Sequence, residues 1–340
     1  MKLFVYEHIT SGAFTEQELP TSLALEGTEM LSAVLTDCHE LTDIEVITLC
    51  DARLSNHDQL IKPERHCRHL IFTYSDYSRL WQQCLDNADT IFIIAPETDD
   101  ILAQLQQQAL QTGKVILGCS PEAIRLTSNK YTSEQILTAN NIATTYSCIA
   151  KEWPQHRFIS ESGYIVKPID GAGCIDTFLF NSIQELEYYL SSLSVAQRQS
   201  YLVQAYVKGI AASLSVLLSN DEIEVLAINQ QLISINNKLE FHGCIVNEID
   251  STTLSLEQAY QLASSIHRAI GGLSGFIGID IILTPDQLVV VDINPRLTTS
   301  YTGLRASLQL NPMERFFTMQ NTGSMPPSAI THRNKVHIQL

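Results

Sequence analysis

Two apolar runs near the C-terminus, each interrupted by a single acid, constrain the fold more than any other feature. Residues 276–283 and 288–293 are rich in Ile, Val and Leu, and Thr-Pro-Asp-Gln separates them at 284–287. β-Branched residues favour strands, whereas proline presets φ and aspartate bonds its own backbone in turns. The pattern predicts a β-hairpin with Asp280 in its first strand and Asp292 in its second.

The acids of this hairpin are expected to lie together. Asn294 is two residues beyond Asp292 and so shares its face of the strand. If the turn comprises residues 284–288, Asp280 pairs with Asp292. A buried carboxylate pair is costly unless a cation neutralises it, and rigidly held oxygen ligands suit Mg²⁺. Arg296 could stabilise a transferred phosphoryl group; the alternative is an ordinary hairpin with polar residues at its solvent-facing ends.

Composition limits the class of protein. The 340 residues suffice for two or three domains, and 45% hydrophobic with 17% charged residues indicates a globular chain. A formal net charge of −16 without a long basic run argues against a nucleic acid or an anionic membrane as partner. No apolar stretch approaches the roughly 20 residues of a membrane span. The N-terminus does not resemble a secretory signal, and eight cysteines without a CxxC pair suggest a cytoplasmic protein with reduced thiols.

The first part of the chain alternates strand and helix patterns. Residues 1–120 are predicted to form an α/β unit with a mainly parallel sheet. Ligands of such units bind beyond the carboxyl ends of the strands. The loop at 7–12 and the loop after Ala95 are therefore candidate walls of a site.

The remainder of the chain has a different pattern. Residues 121–200 are predicted to form a small unit of short, mainly antiparallel strands, and residues 201–320 a third unit with more strands, a helix and the hairpin. Within the third unit, one strand is predicted at 224–229. The tail at 321–340 is predicted to end in an edge strand at 335–340.

A glycine-containing loop follows a predicted strand at 166–173, which reads Val-Lys-Pro-Ile-Asp-Gly-Ala-Gly. Glycine lets backbone N–H groups approach phosphates, and Lys167 adds a point charge. The sequence lacks GxxxxGK[ST], so this is not a Walker loop. A glycine loop in a hairpin is also commonly just a turn.

Three shorter signals carry little meaning alone. Residues 204–207 are a polar strand end that could bind an adenine edge, Lys130 opens a predicted helix, and Glu7 could hold an ammonium group. Asn229 and Gln231, which follow the predicted strand, could approach the same ligands. Each is equally consistent with an ordinary surface residue.

In combination, these segments resemble the ATP-grasp superfamily over nearly the whole chain. The shared order is Lys130, Lys167 with its glycine loop, the strand end at 204–207, Asp280 and Asp292-x-Asn294-Pro295-Arg296. Glutamate is usual in that family where Asp292 stands, and aspartate has a shorter reach. The resemblance implies an α/β fold, α+β in its C-terminal part. The implied domains are a parallel-sheet pre-ATP-grasp domain at 1–120, a small lid at 121–200 and an antiparallel metal-binding subdomain at 201–320.

Two segments sharpen the resemblance. Residues 3–12, LFVYEHITSG, and residues 292–304, DINPRLTTSYTGL, are similar to tyramine–glutamate ligases and their relatives in methanofuran-type cofactor synthesis. Residues 208–213 depart from the pattern because they lack the acid that often contacts the ribose. The ribose partner is therefore left unassigned.

The resemblance implies a carboxylate–amine ligase that uses ATP and Mg²⁺ or Mn²⁺. ATP would phosphorylate a carboxylate, and an amine would then displace phosphate from the acyl phosphate. Lys130 and Lys167 would contact the phosphates. The flap would consist of Gly171, Ala172 and Gly173, and the adenine wall of Gln204, Tyr206 and Val207.

The other implied roles concern the metal, the chemistry and the substrates. Asp280, Asp292 and Asn294 would hold the metal, while Arg296 and Lys167 would be the catalytic cations. The implied substrate contacts are Thr298, Thr299 and Ser300 for the carboxylate and Glu7, Ser11 and Gly12 for the amine.

The predicted reaction joins glutamate to tyramine or tyrosine for a methanofuran-like cofactor. The alternatives are a dipeptide or amino-acid ligase with other substrates, and a nucleotide-binding regulatory protein without turnover. Small-molecule substrates are the expected partners, with no nucleic acid or membrane, and a homodimer is a further expectation.

Overall fold

The computed structural model describes residues 1–54, 69–171, 173–219, 222–324, 326 and 329–340. The predicted flap residue Ala172, Cys67 and part of the tail lie outside these residues. In the described part of the chain, no helix has both the length and the apolar character needed to cross a membrane.

The N-terminal part is a five-stranded parallel sheet with helices on both faces, as predicted. Its elements are β1 (Lys2–Glu7), α1 (Thr21–His39), β2 (Glu45–Asp51), β3 (His69–Thr73), α2 (Tyr77–Asn87), β4 (Thr90–Ile94), α3 (Ile101–Gln111) and β5 (Val115–Leu117). In the strand order β3-β2-β1-β4-β5, the chain adds β2 and β3 on one side of β1 and then β4 and β5 on the other. Such a switch point opens a crevice at the carboxyl ends of those two strands.

Strand β1 is buried on both faces, which explains its continuous apolar sequence. Phe4 and Tyr6 pack into the core that includes residues of α2 and α3. Leu3 and Val5 alternate to the opposite face, where they meet residues of α1 and of the C-terminal helices. Glu7 is the last residue of β1 and continues the face of Leu3 and Val5. It therefore lies at the crevice, at the end of a rigid strand.

The remainder of the described chain contributes a ten-stranded sheet in the order β14-β13-β10-β11-β12-β8-β7-β9-β6, with β15 paired to β12. Its first elements are α4 (Pro121–Ser128), α5 (Lys130–Ala139), β6 (Ser147–Ile149), β7 (Tyr164–Pro168), β8 (Phe178–Phe180), α6 (Ile183–Ser192), α7 (Val195–Ser200) and β9 (Tyr201–Ala205). The later elements are β10 (Ile210–Ser219), β11 (Glu222–Asn236), β12 (Lys238–Val246), α8 (Leu256–Ala269), β13 (Gly275–Leu283), β14 (Leu288–Asn294), α9 (Tyr301–Leu308), α10 (Pro312–Thr322) and β15 (Val336–Gln339).

This sheet consists of two blocks. Strands β6–β9 have a core of their own, and in the described chain β8 pairs with β12 at Lys238–Phe178. The predicted tail strand exists as β15. The strand predicted at 224–229 was too short, since β11 continues to Asn236. The limits of the three units at 120, 200 and 320 stay predictions.

The hairpin of β13 and β14 has the predicted acid pairing but a different turn. Leu283 pairs with Leu288, so the turn comprises residues 284–287 and not 284–288. The register then shifts between Ile281–Val290 and Asp280–Asp292, which leaves Val291 as a β-bulge. The bulge adds the residue that the shorter turn omits, and it brings Asp280 opposite Asp292.

Candidate active site

An acidic pair lies on one face of the central hairpin. Asp280 is directly opposite Asp292, and Asn294 is opposite Gly278 one step along the same face. The flanking Ile279 and Ile293 point into the core. Gly278 makes room here, because a Cβ at this position would lie 2.6 Å from the Cγ2 atom of Thr298. Strand alternation therefore presents the polar groups together on a mostly apolar scaffold.

Asp280 accepts hydrogen bonds from two side-chain amides. Its Oδ1 atom accepts a hydrogen bond from Gln231 Nε2 at 2.9 Å, and its Oδ2 atom accepts one from Asn294 Nδ2 at 3.3 Å. Burial, and then the nearby Asp292 carboxylate, raise the pKa of Asp280 to about 7. A carboxylate pair of this kind fits a divalent cation, which would favour both ionised forms.

The protein alone would offer such a cation few ligands. Among the described residues, no group of three or more His, Cys, Asp or Glu side chains is arranged to hold a metal. Two carboxylates with water and phosphate oxygens nevertheless match the preference of Mg²⁺. Asn294 presents its amide nitrogen to Asp280, so binding a cation through its oxygen requires the amide to turn over.

Lys130 lies beside Asp292. It is the first residue of α5, where the Asn129 side chain caps the helix by accepting a hydrogen bond from the Thr132 N–H. The Lys130 Nζ atom is 2.7 Å from Asp292 Oδ2 and donates to the Gly171 carbonyl at 2.7 Å. Burial disfavours its charge, but Asp292, with Glu97 and Asp280, outweighs burial and the pKa of Lys130 is raised.

Lys167 provides a second cation from the small unit. It pairs with Leu202, and two residues earlier Ile165 pairs with Gln204. The alternating residue Val166 points into the core of that unit, so Lys167 and Gln204 share the opposite face. Burial, and then Lys130, lower the pKa of Lys167 to about 8.

The other predicted adenine contacts, Tyr206 and Val207, directly follow β9. Tyr206 lies two residues beyond Gln204, and its N–H donates to the Gly163 carbonyl at 3.0 Å. Val207 follows outside β9 and is half-buried. Gln204 itself lies in β9, and its side chain donates to the Thr145 hydroxyl at 2.5 Å.

The glycine loop after β7 lies over Lys130. Gly171 and Gly173 have φ values of +122° and +67°, which favour glycine. Among the residues that the structure describes, a Cβ at Gly171 would meet only Pro168, at 4.0 Å, and one at Gly173 would meet nothing within 4 Å. The loop also reaches the N-terminal unit, because Asp170 accepts a hydrogen bond from the Asp99 N–H at 3.1 Å.

Arg296 connects the hairpin to the crevice between β1 and β4. Its Nε atom lies 3.0 Å from Glu97 Oε1, and both side chains are buried, with exposed fractions of 12% and 6%. Glu97 follows β4 closely in the chain. The guanidinium group is thus fixed between the two units by an acid that the sequence did not single out.

The segment after Arg296 lines a small cavity. The Thr298 and Ser300 hydroxyl oxygens are 3.0 Å apart, and Ser300 is 2.9 Å from the Ser215 hydroxyl of β10. Ser215, Thr298, Ser300 and Arg296 form the polar part of the cavity wall. Thr299 differs from its neighbours, since its hydroxyl donates to Glu26 of α1.

Comparison with known proteins identifies the architecture. Residues 127–300, about half of the chain, match the ATP-grasp domain family. The chain belongs to the ATP-grasp family. Residues 44–124 match the pre ATP-grasp 3 domain, so the predicted fold and family are both confirmed.

Relatives of this ATP-grasp protein include two curated enzymes. It is 27% identical to the tyramine–L-glutamate ligase of Methanocaldococcus jannaschii over 225 residues, which are 66% of this chain and 61% of the relative. It is 26% identical to the tyramine–L-glutamate ligase of Methanocaldococcus fervens, over 66% of this chain and 64% of the relative. The alignments thus span less than two thirds of each relative.

Solved structures have the same fold. A putative ATP-grasp superfamily protein from Archaeoglobus fulgidus superposes with a TM-score of 0.73 at 21% identity, over 98% of this chain and 91% of that one. An L-amino acid ligase from Bacillus licheniformis gives 0.66 at 13% identity, over 96% and 77%.

The loop at 7–12 of this ATP-grasp protein is internally bonded. Glu7 is buried, and its Oε2 atom accepts hydrogen bonds from the N–H and the hydroxyl of Thr10, both at 2.7 Å. Burial raises the pKa of Glu7 to about 7. The Ser11 hydroxyl donates to the Leu49 carbonyl at 3.2 Å, so it points into the sheet. Gly12 packs so closely on Thr73 that a Cβ would lie 2.0 Å from its Oγ1 atom.

Proposed function

We propose that this ATP-grasp protein is an ATP-dependent ligase that joins a carboxylate to an amine. The arrangement of Lys130, Lys167, Asp280, Asp292 and Arg296 carries the proposal. Two lysines suit phosphate oxygens, two adjacent carboxylates suit a divalent cation, and a fixed guanidinium suits a transferred phosphoryl group.

L-Glutamate and tyramine, or tyrosine, are the proposed substrates. Similarity to the two tyramine–L-glutamate ligases supports this choice. A place in the synthesis of a methanofuran-like cofactor follows from the same similarity. ATP, the amino acid and the amine are then the partners of a cytoplasmic enzyme, and a homodimer is a further proposal.

The reaction has two steps. A carboxylate oxygen of glutamate attacks the γ-phosphorus of ATP, the bond to the bridging oxygen breaks, and ADP leaves. The amine nitrogen then attacks the acyl carbon, phosphate leaves with the electron pair of the C–O bond, and the nitrogen loses a proton to solvent. The products are an amide, ADP and phosphate.

The side chains act by position and charge, which phosphoryl transfer needs more than a dedicated base. Asp280 and Asp292, with Asn294 after its amide turns, would hold Mg²⁺ or Mn²⁺, which neutralises phosphate oxygens when bound. Lys130 and Lys167 offer their ammonium groups to the same phosphates. Arg296 offers fixed donors to the charge that develops during transfer.

The loop around Gly171 and Gly173 is proposed as the flap over the phosphates. Because acyl phosphates hydrolyse readily, a closing loop protects the intermediate from water. The open surroundings of both glycines and the hydrogen bond from Lys130 to Gly171 support this role. Gln204, Tyr206 and Val207 are proposed to line the adenine site beside it.

An assay of ADP release with product mass spectrometry tests the proposal. Purified protein receives Mg-ATP, L-glutamate and, in separate reactions, tyramine, tyrosine or another amino acid. We expect ADP and a product whose mass is the sum of glutamate and the amine less one water. Turnover only with other pairs would favour the amino-acid ligase, and tight ATP binding without ADP for any pair would favour the regulatory protein.

A further inference from the structure

A buried amide lies beside Ser215, which contacts the segment 298–300 that the resemblance assigns to the substrate carboxylate. Asn229 of β11 has no exposed surface. Its Nδ2 atom donates to the hydroxyl oxygens of Ser213 at 3.2 Å and Ser215 at 3.0 Å. Its Oδ1 atom accepts from the Asn247 N–H at 3.3 Å. Because a backbone N–H can only donate, the amide oxygen must face Asn247, and the amide hydrogens must face the serines.

This orientation makes Asn229 the donor at one end of a hydrogen-bond chain. Ser215 accepts from Asn229, so its own proton is available to another acceptor, and its Oγ atom lies 2.9 Å from that of Ser300. Ser300 is in turn 3.0 Å from Thr298. Three hydroxyl groups carry three protons, yet only two hydrogen bonds join them. One proton therefore remains for an acceptor outside the chain.

The three hydroxyl groups share one cavity, which offers room for the acceptor of that proton. Ser215, Thr298 and Ser300 all line the cavity, together with Arg296. A hydroxyl proton beside a guanidinium group favours an anionic oxygen as acceptor. The cavity has a volume of about 10 Å³, the size of about one water molecule, so it suits a single carboxylate oxygen and not a whole amino acid.

We propose that Asn229 is a positioning residue for the substrate carboxylate. It makes Ser215 a donor, and the chain from Ser215 through Ser300 and Thr298 then presents one proton to the carboxylate next to Arg296. Ser215 becomes a further contact of that substrate. The inference rests on the proposed ligase function and names the residues that select its carboxylate.

Three variants test this chain. Asn229→Asp keeps the size of the side chain but replaces the donor by an acceptor, so the Ser215 proton turns back towards residue 229. Ser215→Ala interrupts the chain with the loss of one oxygen atom. Ser213→Ala is the matched control, because it removes the other acceptor of the same amide without interrupting the chain to Ser300.

The readouts are the KM values for L-glutamate and ATP, with calorimetric titration of L-glutamate in the absence of amine. We expect Asn229→Asp and Ser215→Ala to raise the glutamate KM and Kd at least tenfold, about the effect of one charged hydrogen bond. The ATP KM should stay within twofold, and Ser213→Ala should match the wild type in both. An unchanged glutamate Kd in folded Ser215→Ala, or an equal rise of every KM, would overturn the inference.

The titration separates this inference from the proposed function. If the wild type releases no ADP with any pair, the ligase proposal fails. L-Glutamate that still binds the wild type, and binds Ser215→Ala at least tenfold more weakly, would support the carboxylate chain even then. Failure of L-glutamate to bind the wild type would overturn it.

Discussion

The ammonium group of Lys130 lies 2.7 Å from the carboxylate of Asp292, and both side chains are largely buried. The proposed function requires the lysine for phosphate and the aspartate for a divalent cation. In the free protein each neutralises the other. Binding of nucleotide and metal would therefore exchange one internal ion pair for two pairs with ligands, and the site remains compensated in both states.

Lys130→Met should destabilise the free protein. Asp292 would remain buried without its cation, and such a loss costs about 3 kcal/mol. Urea unfolding at neutral pH measures the change. Lys335→Met is the control, because Lys335 also pairs with an acid, Glu248, but is 59% exposed and should matter little. Equal stability of the two variants would contradict a compensating role for Lys130.

Arg296→Ala should lower turnover by about 10²–10³, the usual cost of a donor to developing charge. It should also lower stability, since Glu97 loses its partner while buried. Adding Glu97→Gln should restore much of the melting temperature but none of the turnover. Wild-type rates in either variant would exclude Arg296 from the reaction.

Asp292→Asn should raise the Mg²⁺ concentration for half-maximal activity at least tenfold, because a carboxylate ligand becomes a neutral amide. Titration of the rate with Mg²⁺ and with Mn²⁺ measures this. Asp286→Asn, at the exposed turn of the same hairpin, is the control and should titrate like the wild type. An unchanged titration for Asp292→Asn would remove it from the metal ligands.

Glu7→Gln should change how stability depends on pH. Burial raises the pKa of Glu7 from 4.5 to about 7, so the folded protein holds a proton that the unfolded chain releases at lower pH. The stability from this group is complete below 4.5 and falls as the pH rises through 7, by about 3 kcal/mol.

The test is urea unfolding of both proteins at pH 5 and pH 8. The stability of Glu7→Gln relative to the wild type should increase between these values. Glu16→Gln, an exposed acid a few residues later, should follow the wild type. A constant difference between Glu7→Gln and the wild type would show that Glu7 ionises normally.

Strand alternation was enough to predict that Asp292 and Asn294 share a face, whereas Asp280 was placed there by a turn one residue too long, a difference that the bulge at Val291 compensates. The turn length was not predictable, because the bulged Val291 has the same apolar character as its neighbours. The end of β11 was misplaced for a related reason. Asn229 and Gln231 resemble the polar end of a strand, yet inside the protein their amides bond Ser213, Ser215 and Asp280.

Partners from distant parts of the chain were also missed. Glu97 could be assigned to a wall of the crevice, but its pairing with Arg296 depends on how two units pack. Likewise, Thr299 was grouped with Thr298 and Ser300, although it bonds Glu26 of α1. Local patterns specify the face of a strand, whereas these contacts arise from tertiary packing.

The bulge at Val291 offsets the register by one residue between the hairpin tip and the two acids. The acids stay aligned as long as the Leu283–Leu288 pair is kept, so the turn beyond that pair can change. Residues 285–287 are exposed. The tip is therefore a natural place for insertions among homologues, and a fluorophore or affinity tag attached there would report on the protein without disturbing its chemistry.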